Sequence, residues 1–501
     1  MDLLSNLSLG FSEISSWGTL LYCLIGVTVG TFVGVLPGLG ATASMAILLP
    51  LTTGMPVLDA IVLLAGVFYG SMYGSSITSI LINTPGQPAS VPVLKDGYAM
   101  AKAGRAGPAL VMTALGSFVG GTISIIALTL FAPMLAKVTI YIGPPEYFAV
   151  LLAAITMVLS LAGRNMAKAL VSALLGFAIF AVGIDEISGM PRLTFGQDAL
   201  LAGIDFIPVL IGIYAISEIF VNMERRGQNV YESIRKLYPS WQEIKYISRS
   251  LLRGGSLGTM IGVVPGASAA TASFMAYEIE YRIAKDKSKF GKGETRGISS
   301  AEAANNGATG GAMVPLLTLG IPADPAIAVL LGAMIIQGAQ PGPLFFSDRP
   351  ELAWGIIASL YIGNVLLLFL NVPLVGLWAR IVKIPYPILA VSVLSICVVG
   401  AYGVRNNMFD VWTMFAFGII GYLMRKAAVP AEPLVLTMIL APIMSPALIQ
   451  SLAMSGGDVS IFVTRPFSAA FLALAVVLVF VNLRSRQKTR LQEEPALEGK
   501  V

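Results

Sequence analysis

Pro37-Gly38-Leu39-Gly40 and Pro265-Gly266-Ala267-Ser268 are the residues of this chain whose types and spacing suit binding of a carboxylate. Proline stops a helix and glycine lets the backbone turn. A helix restarted after such a break offers unpaired backbone N–H groups and about half a positive charge at its first turn. The hydroxyls of Thr42, Ser44, Ser268, Thr271 and Ser273 stand ready to add hydrogen bonds. Neither stretch holds a lysine or arginine, so an anion would be gripped by dipoles and could leave again. Asn83, Thr84, Pro85 and Gly86, Asn305 and Asn306, and Pro322 mark further breaks and polar groups that join the candidate substrate site. Five acids fall within or beside apolar segments: Asp59, Asp205, Glu218, Glu302 and Asp324. Burying a charge in lipid costs about 2.5–3.5 kcal/mol or more, so such acids tend to be functional. Asp324, between Pro322 and Pro325, is the first candidate for ion coupling, and Glu302, beside Asn305 and Asn306, the second. Sodium would take carbonyls, hydroxyls or carboxylates at the same breaks, with ligands left open.

The two stretches belong to a repeat. Gly30-Thr31-Phe32-Val33-Gly34-Val35-Leu36-Pro37-Gly38-Leu39-Gly40-Ala41 and Gly258-Thr259-Met260-Ile261-Gly262-Val263-Val264-Pro265-Gly266-Ala267-Ser268-Ala269 agree at seven of twelve positions. Asn83-Thr84-Pro85-Gly86 matches Gly320-Ile321-Pro322-Ala323, and Arg164-Asn165 matches Arg405-Asn406. Paired interruptions in corresponding positions of two halves are the sequence pointer to a carrier's binding site. In lipid, a broken helix survives only where protein or a water-filled cavity surrounds it.

The elements that hold these breaks must be membrane helices. Of the 501 residues 56% are hydrophobic and only 12% charged, and the mean hydropathy is +0.81; a soluble protein carries about 25% charged residues. Apolar runs of ~17–25 residues recur along the chain, each long enough to span the hydrocarbon. The reading is an all-α polytopic membrane protein of two inverted-topology repeats with broken hairpins, about eleven crossings, and an elevator-like movement. The expected divisions are 1–222 for the first repeat, 223–253 for a cytoplasmic polar linker, 254–483 for the second repeat and 484–501 for a cytoplasmic tail. No lysine or arginine precedes Lys95, which places the N-terminus in the periplasm and the C-terminus in the cytoplasm by the positive-inside rule. This orientation leaves outside only Lys137, Arg192, Arg349, Arg405 and Arg465 of the 32 basic residues.

Composition removes several classes. The chain has no histidine, hence no His-ligated zinc and no Ser-His-Asp triad. Its two cysteines, Cys23 and Cys397, both lie in apolar runs. No P-loop occurs, and Gly38-Leu39-Gly40-Ala41-Thr42-Ala43 follows a lipid-length run rather than the strand a dinucleotide site requires. No enzyme, no cofactor and no nucleic-acid partner is expected; the net charge of +5 suits cytoplasmic loops.

The repeated G-x-x-x-G-x-x-P-G run, Tyr73-Gly74-Ser75-Ser76 leading to Asn83-Thr84-Pro85-Gly86, Lys95-Asp96-Gly97-Tyr98 and Gly320-Ile321-Pro322 together resemble the large permease subunit (TctA-type) of the tripartite tricarboxylate transporters. The resemblance covers nearly the whole chain up to about Arg484. It implies a multi-pass protein of the bacterial inner membrane that works with a small four-helix membrane subunit (TctB-like) and a periplasmic solute-binding protein (TctC-like). Its substrates would be citrate-like tricarboxylates or related carboxylates, with uptake driven by a sodium or proton gradient. A passive carboxylate channel of the same architecture is the alternative; only energetic coupling separates the two.

Overall fold

The computed structural model describes residues 3–36, 39–138, 142–161, 166–185, 189–224, 238–381 and 386–480. It is helical apart from one two-residue antiparallel pairing, Gly183–Ile184 with Pro191–Arg192. In chain order the helices are α1 (Leu3–Ile14), α2 (Trp17–Gly34), α3 (Ala41–Leu48), α4 (Val57–Ile82), α5 (Val91–Lys102), α6 (Ala106–Val138), α7 (Pro144–Leu161), α8 (Met166–Phe180), α9 (Phe206–Leu210) and α10 (Ser217–Met223). There follow α11 (Trp241–Gly262), α12 (Ala269–Ile283), α13 (Thr295–Gly311), α14 (Met313–Leu319), α15 (Pro325–Ile336), α16 (Phe345–Asp348) and α17 (Pro350–Asn371). Then come α18 (Val375–Ile381), α19 (Tyr386–Arg405), α20 (Met408–Lys426), α21 (Glu432–Met454) and α22 (Ile461–Thr464), and an apolar helix, Pro466–Phe480, ends the described chain. A π-helical turn, Ile211–Ile216, joins α9 to α10 into one rod. Among the described residues eight helices are long and apolar enough to cross a membrane, and four shorter apolar helices, including 41–52 and 325–336, are not. The chain is therefore an all-α polytopic membrane protein.

Glycine decides which helices touch. On α2, Gly26, Gly30 and Gly34 lie on one face, and a Cβ added to any of them would run into the backbone of Leu63, Val67 or Ser71 on α4. Gly66, Gly70 and Gly74 of α4 return the contact against Gly26–Val35. Without a hydrophobic drive between helices in lipid, this close approach of backbones is what holds them. The same arrangement occurs between α11 and α13: Gly254, Gly258 and Gly262 meet Ser300, Ala304 and Ala308, and Gly307 and Gly311 meet Gly255 and Thr259. Both pairs sit in a compact unit formed by residues 1–139 and 204–427, to which α6 and α17 also belong. Residues 140–203 and 428–501 form a second unit, in which α7 and α8 pack on α21. Each unit takes chain from both halves of the sequence.

One expectation needs correcting. Residues 241–253, read as part of a polar linker, form the first half of α11. Ser240 caps it, with Ser240 Oγ accepting from Glu243 N and the Glu243 carboxylate accepting from Ser240 N. This is a capping box, and Arg253 on the following turns bonds Glu280 of α12 at 2.8 Å. The charges in 241–253 thus line a helix face rather than a solvated loop. The Arg164-Asn165 pair of the proposed repeat lies outside the described residues, as do Pro37, Gly38 and the tail beyond residue 480.

Candidate functional site

In the second half of the larger unit the two breaks meet, and in the first half the Asn83–Gly86 break reaches the end of α2. In the second half, Gly266 adopts φ +81°, and its N–H donates to Ala323 O of the Pro322 break at 2.8 Å. In the first half, Gly86 lies against Gly34 O and Ser75, so close that a Cβ there would stand 2.7 Å from each. The caps correspond as well. Asn83 ends α4 in the left-handed conformation (φ 55°) and Gly320 ends α14 in the same way (φ 68°). Gln87 then caps Pro88 and Asp324 caps Pro325. The helix after each Pro-Gly break crosses to the other half: α3 packs on α15, and α12 packs on the Pro88–Ser90 turn and α5. Ala89 is buried in one apolar cluster with Ala269, Ala272, Ala276, Ala304 and Ala308.

The candidate hydroxyls divide by environment. Ser44 Oγ bonds back to Gly40 O at 2.8 Å within α3, while Thr42 is partly buried. Gly40 and Ser268 occupy the same cap position of α3 and α12, and Ser268 Oγ accepts from Thr271 N at 3.4 Å. Thr271 is exposed. The Ser273 hydroxyl is buried with no hydrogen-bond partner. Thr84 is buried and Pro85 and Pro265 are partly buried. Asp324 accepts from Ile327 N at 2.9 Å and so fixes the start of α15. Asp59 accepts from Thr19 Oγ1 at 2.6 Å, and Glu218 pairs with Arg425.

Glu302, Asn305 and Asn306 form a buried polar cluster where α4, α6 and α13 cross. Ser76 Oγ donates to Glu302 Oε2 at 2.5 Å and Ser117 Oγ to Oε1 at 2.9 Å. Asn305 Nδ2 and Asn306 Nδ2 reach Oε1 at 3.3 and 3.4 Å. Among the described residues no lysine or arginine pairs with Glu302. A second network lies nearby: Tyr73 OH donates to Asn364 Oδ1 at 2.7 Å, and Asn364 Nδ2 donates to Phe118 O and Thr122 Oγ1, both at 3.0 Å.

The sequence profile of the tripartite tricarboxylate transporter TctA family matches residues 20–436. The chain belongs to the tripartite tricarboxylate transporter TctA family. It is thus the membrane subunit of a transporter and not an enzyme. Among its relatives is an uncharacterised 52.8 kDa protein in the TAR-I ttuC' 3' region of Agrobacterium vitis, 40% identical over 500 residues, which span 99% of this chain and all of the relative. An uncharacterised protein of the TAR-II ttuC' 3' region of the same organism is 41% identical over 226 residues, covering 45% of this chain and 93% of the relative. No solved structure matches the chain.

In this TctA-family protein the Lys95-Asp96-Gly97-Tyr98 motif has a structural role that its residue types alone did not announce. Asp96 is fully buried and accepts from Tyr277 OH at 2.7 Å, Gly293 N at 2.7 Å and Glu294 N at 2.8 Å. It ties α5 to α12 and to the start of α13. The partners of Glu302 were also unreadable in sequence: Ser76 and Ser117 are far from it along the chain, and only helix crossing brings the three together. The signal that could have found them is an acid on an otherwise small-residue helix, since a lone carboxylate there requires donors from its neighbours.

Proposed function

We propose that this chain is the large permease of a binding-protein-dependent secondary transporter that imports citrate-like tricarboxylates or related carboxylates, coupled to a sodium or proton gradient. The observation that carries the reading is the meeting of the two breaks in the second half, seen in the Gly266 N to Ala323 O bond, with Gly86 seated on the end of α2 at Gly34 O in the first. Non-helical backbone at membrane depth is tolerated where it lines a cavity, and paired breaks of this kind hold substrate and ion in carriers. The first turns of α3 and α12 would present N–H donors to the substrate carboxylates, with Thr42, Ser268 and Thr271 beside them. Glu302 and Asp324 are the acids proposed for coupling. The matching caps at Asn83 and Gly320 and at Gln87 and Asp324 support two repeats of inverted topology, and rigid movement of one helical group against another is the proposed mode of access. The expected setting is a bacterial inner membrane with the N-terminus in the periplasm, and the expected partners are a TctB-like four-helix subunit and a TctC-like periplasmic binding protein.

The test is uptake of labelled citrate into proteoliposomes containing the chain with both partners, under sodium and proton gradients imposed separately. Accumulation above the external concentration under one gradient is the expected result and names the coupling ion. Uptake confined to another carboxylate in a panel would change the substrate and keep the mechanism. Equilibration without accumulation under either gradient would replace the carrier by a passive channel.

A further inference from the structure

Glu302 poses a charge-balance problem that the carboxylate-binding loops do not solve. Its side chain is 0% exposed, as are those of Asn305 and Asn306, and Ser76 and Ser117 are 1% exposed. An ionised carboxylate in such surroundings is very costly unless a positive charge accompanies it. Two amide N–H groups and two serine hydroxyls converge on it, a set that can hold a carboxylate in either protonation state.

The amides add a second, independent observation. Asn305 Oδ1 and Asn306 Oδ1 are buried without any hydrogen-bond partner. The orientation of Asn306 follows from its bonds. Ser117 has one hydroxyl proton, used on Glu302 Oε1 at 2.9 Å. Only a donor can then face Ser117 Oγ, and that donor is Asn306 Nδ2 at 2.7 Å. Asn306 Oδ1 is therefore left as a spare acceptor. The neighbouring Tyr73–Asn364–Thr122 network leaves no such remainder, because both ends of the Asn364 amide are engaged. Buried acceptors without donors are uncommon in folded proteins and are met by a water, an ion or stored strain; what sets these two apart from Asn371 Oδ1 is the uncompensated carboxylate beside them. A proton on Glu302 would cancel its charge and still leave both amide oxygens unmatched. A cation would answer both needs.

We propose that Glu302, Asn305, Asn306, Ser76 and Ser117 form a binding site for one dehydrated sodium ion. The group supplies two carboxylate, two amide and two hydroxyl oxygens, a hard all-oxygen set suited to a cation that bonds oxygen rather than nitrogen or sulfur. Rotation of the two serine hydroxyls turns them from donors to Glu302 into ligands of the ion. One carboxylate balances one charge, which favours a monovalent over a divalent ion. The proposal rests on the reading of Glu302 as a coupling acid, but sodium binding is measured without substrate, so its failure is distinguishable from failure of the carboxylate-transport reading.

The experiment is equilibrium binding of radiolabelled sodium to the purified full-length chain. Thermal unfolding is followed in parallel in sodium, potassium and choline chloride at equal ionic strength and pH. The expected result is saturable, sodium-specific binding of one ion per chain with a matching rise in the unfolding midpoint. Glu302→Gln keeps size and shape and should weaken binding at least about tenfold, the loss that removing the charged ligand implies. Ser117→Ala should weaken it less, and serves as the test where the Gln variant does not purify. Glu278→Gln, at an exposed carboxylate paired with Arg282 outside the cluster, should bind sodium as the parent does. Three results would overturn the proposal: equal behaviour in sodium and choline, full sodium binding by Glu302→Gln or Ser117→Ala, or stability that follows pH alone, which would make Glu302 a proton carrier.

Discussion

Replacing Gly266 separates the backbone role of the second Pro-Gly break from its size. At φ +81° an L-residue pays about 1–2 kcal/mol, because its Cβ crowds the following carbonyl. The hydrogen bond that holds this conformation, Gly266 N to Ala323 O at 2.8 Å, contributes about 0.5–1.5 kcal/mol net. For alanine the strain therefore matches or exceeds the bond, and the two breaks should separate. A shift of one to two kcal/mol changes the population of the joined state by about 5–30-fold. Gly266→Ala should lower the rate of uptake in proteoliposomes by that order. Gly266→Asn, although larger, should lose less, since asparagine tolerates the left-handed region better than other L-residues. Gly266→Pro removes the donor and fixes φ near −65°, and should abolish uptake while membrane insertion persists. Gly403→Ala in α19 is the control: nothing lies within 4 Å of a Cβ there and no left-handed φ is required, and uptake should be unchanged. The reasoning fails if loss follows side-chain volume, with Asn worse than Ala, or if Ala at position 266 transports like the parent.

Two further substitutions test the packing around the site. Gly258→Val would place a Cβ 2.6 Å from Ala304 Cα, against an ordinary carbon contact of about 3.5–4.0 Å. Helices α11 and α13 must part by roughly an ångström, at about 1–3 kcal/mol for overpacking, which should lower the unfolding midpoint in detergent. Asp96→Ala leaves its three buried donors, Tyr277 OH, Gly293 N and Glu294 N, without an acceptor and should destabilise by about 1–3 kcal/mol. Proteolysis between α12 and α13 would detect this, and an unchanged cleavage rate would remove Asp96 as the tie between α5 and α13.

Much of this architecture was legible because breaks and apolar runs are local signals. Helix α4 ends at Ile82, directly before the expected break at Asn83-Thr84-Pro85-Gly86, and α14 ends at Leu319, directly before Gly320-Ile321-Pro322-Ala323. The start of α11 was missed because Lys245, Arg249 and Arg253 read as loop charges, whereas at helical spacing they occupy one rod whose far end is apolar. The pairing of helices lay beyond the reach of sequence in a different way. Gly26, Gly30 and Gly34 announce a close contact, yet nothing in their spacing says that the partner is α4. The same holds for Glu302: its burial was expected from its place in a poorly charged segment, but its partners Ser76 and Ser117 come from α4 and α6, and no local pattern names them.

The polar cluster also breaks the likeness between the halves, and this bears on how an ion could act on the breaks. At the spacing that pairs Asn83 with Gly320 and Gln87 with Asp324, Glu302, Asn305 and Asn306 fall opposite Ala65, Phe68 and Tyr69. The proposed sodium site thus exists once, while the breaks exist twice. It is wired to both halves through immediate neighbours. Ser76 touches Glu302, and the residue before it, Ser75, is the seat of Gly86. On α13, Ala304 and Ala308 flank the two asparagines and hold Ala89 and the start of α12 in one apolar cluster. An ion that draws Ser76 and the asparagines inward therefore acts on backbone within a residue or so of the breaks of each half. A ligand can shift a conformational equilibrium only by its differential affinity for the two states. Here the difference would arise because the ligands come from three helices, and only the packed arrangement of α4, α6 and α13 brings all of them together. Loosening either glycine-lined pair, by Gly258→Val for instance, should weaken sodium binding without touching a ligand, and unaltered binding in that variant would disconnect the ion from the breaks.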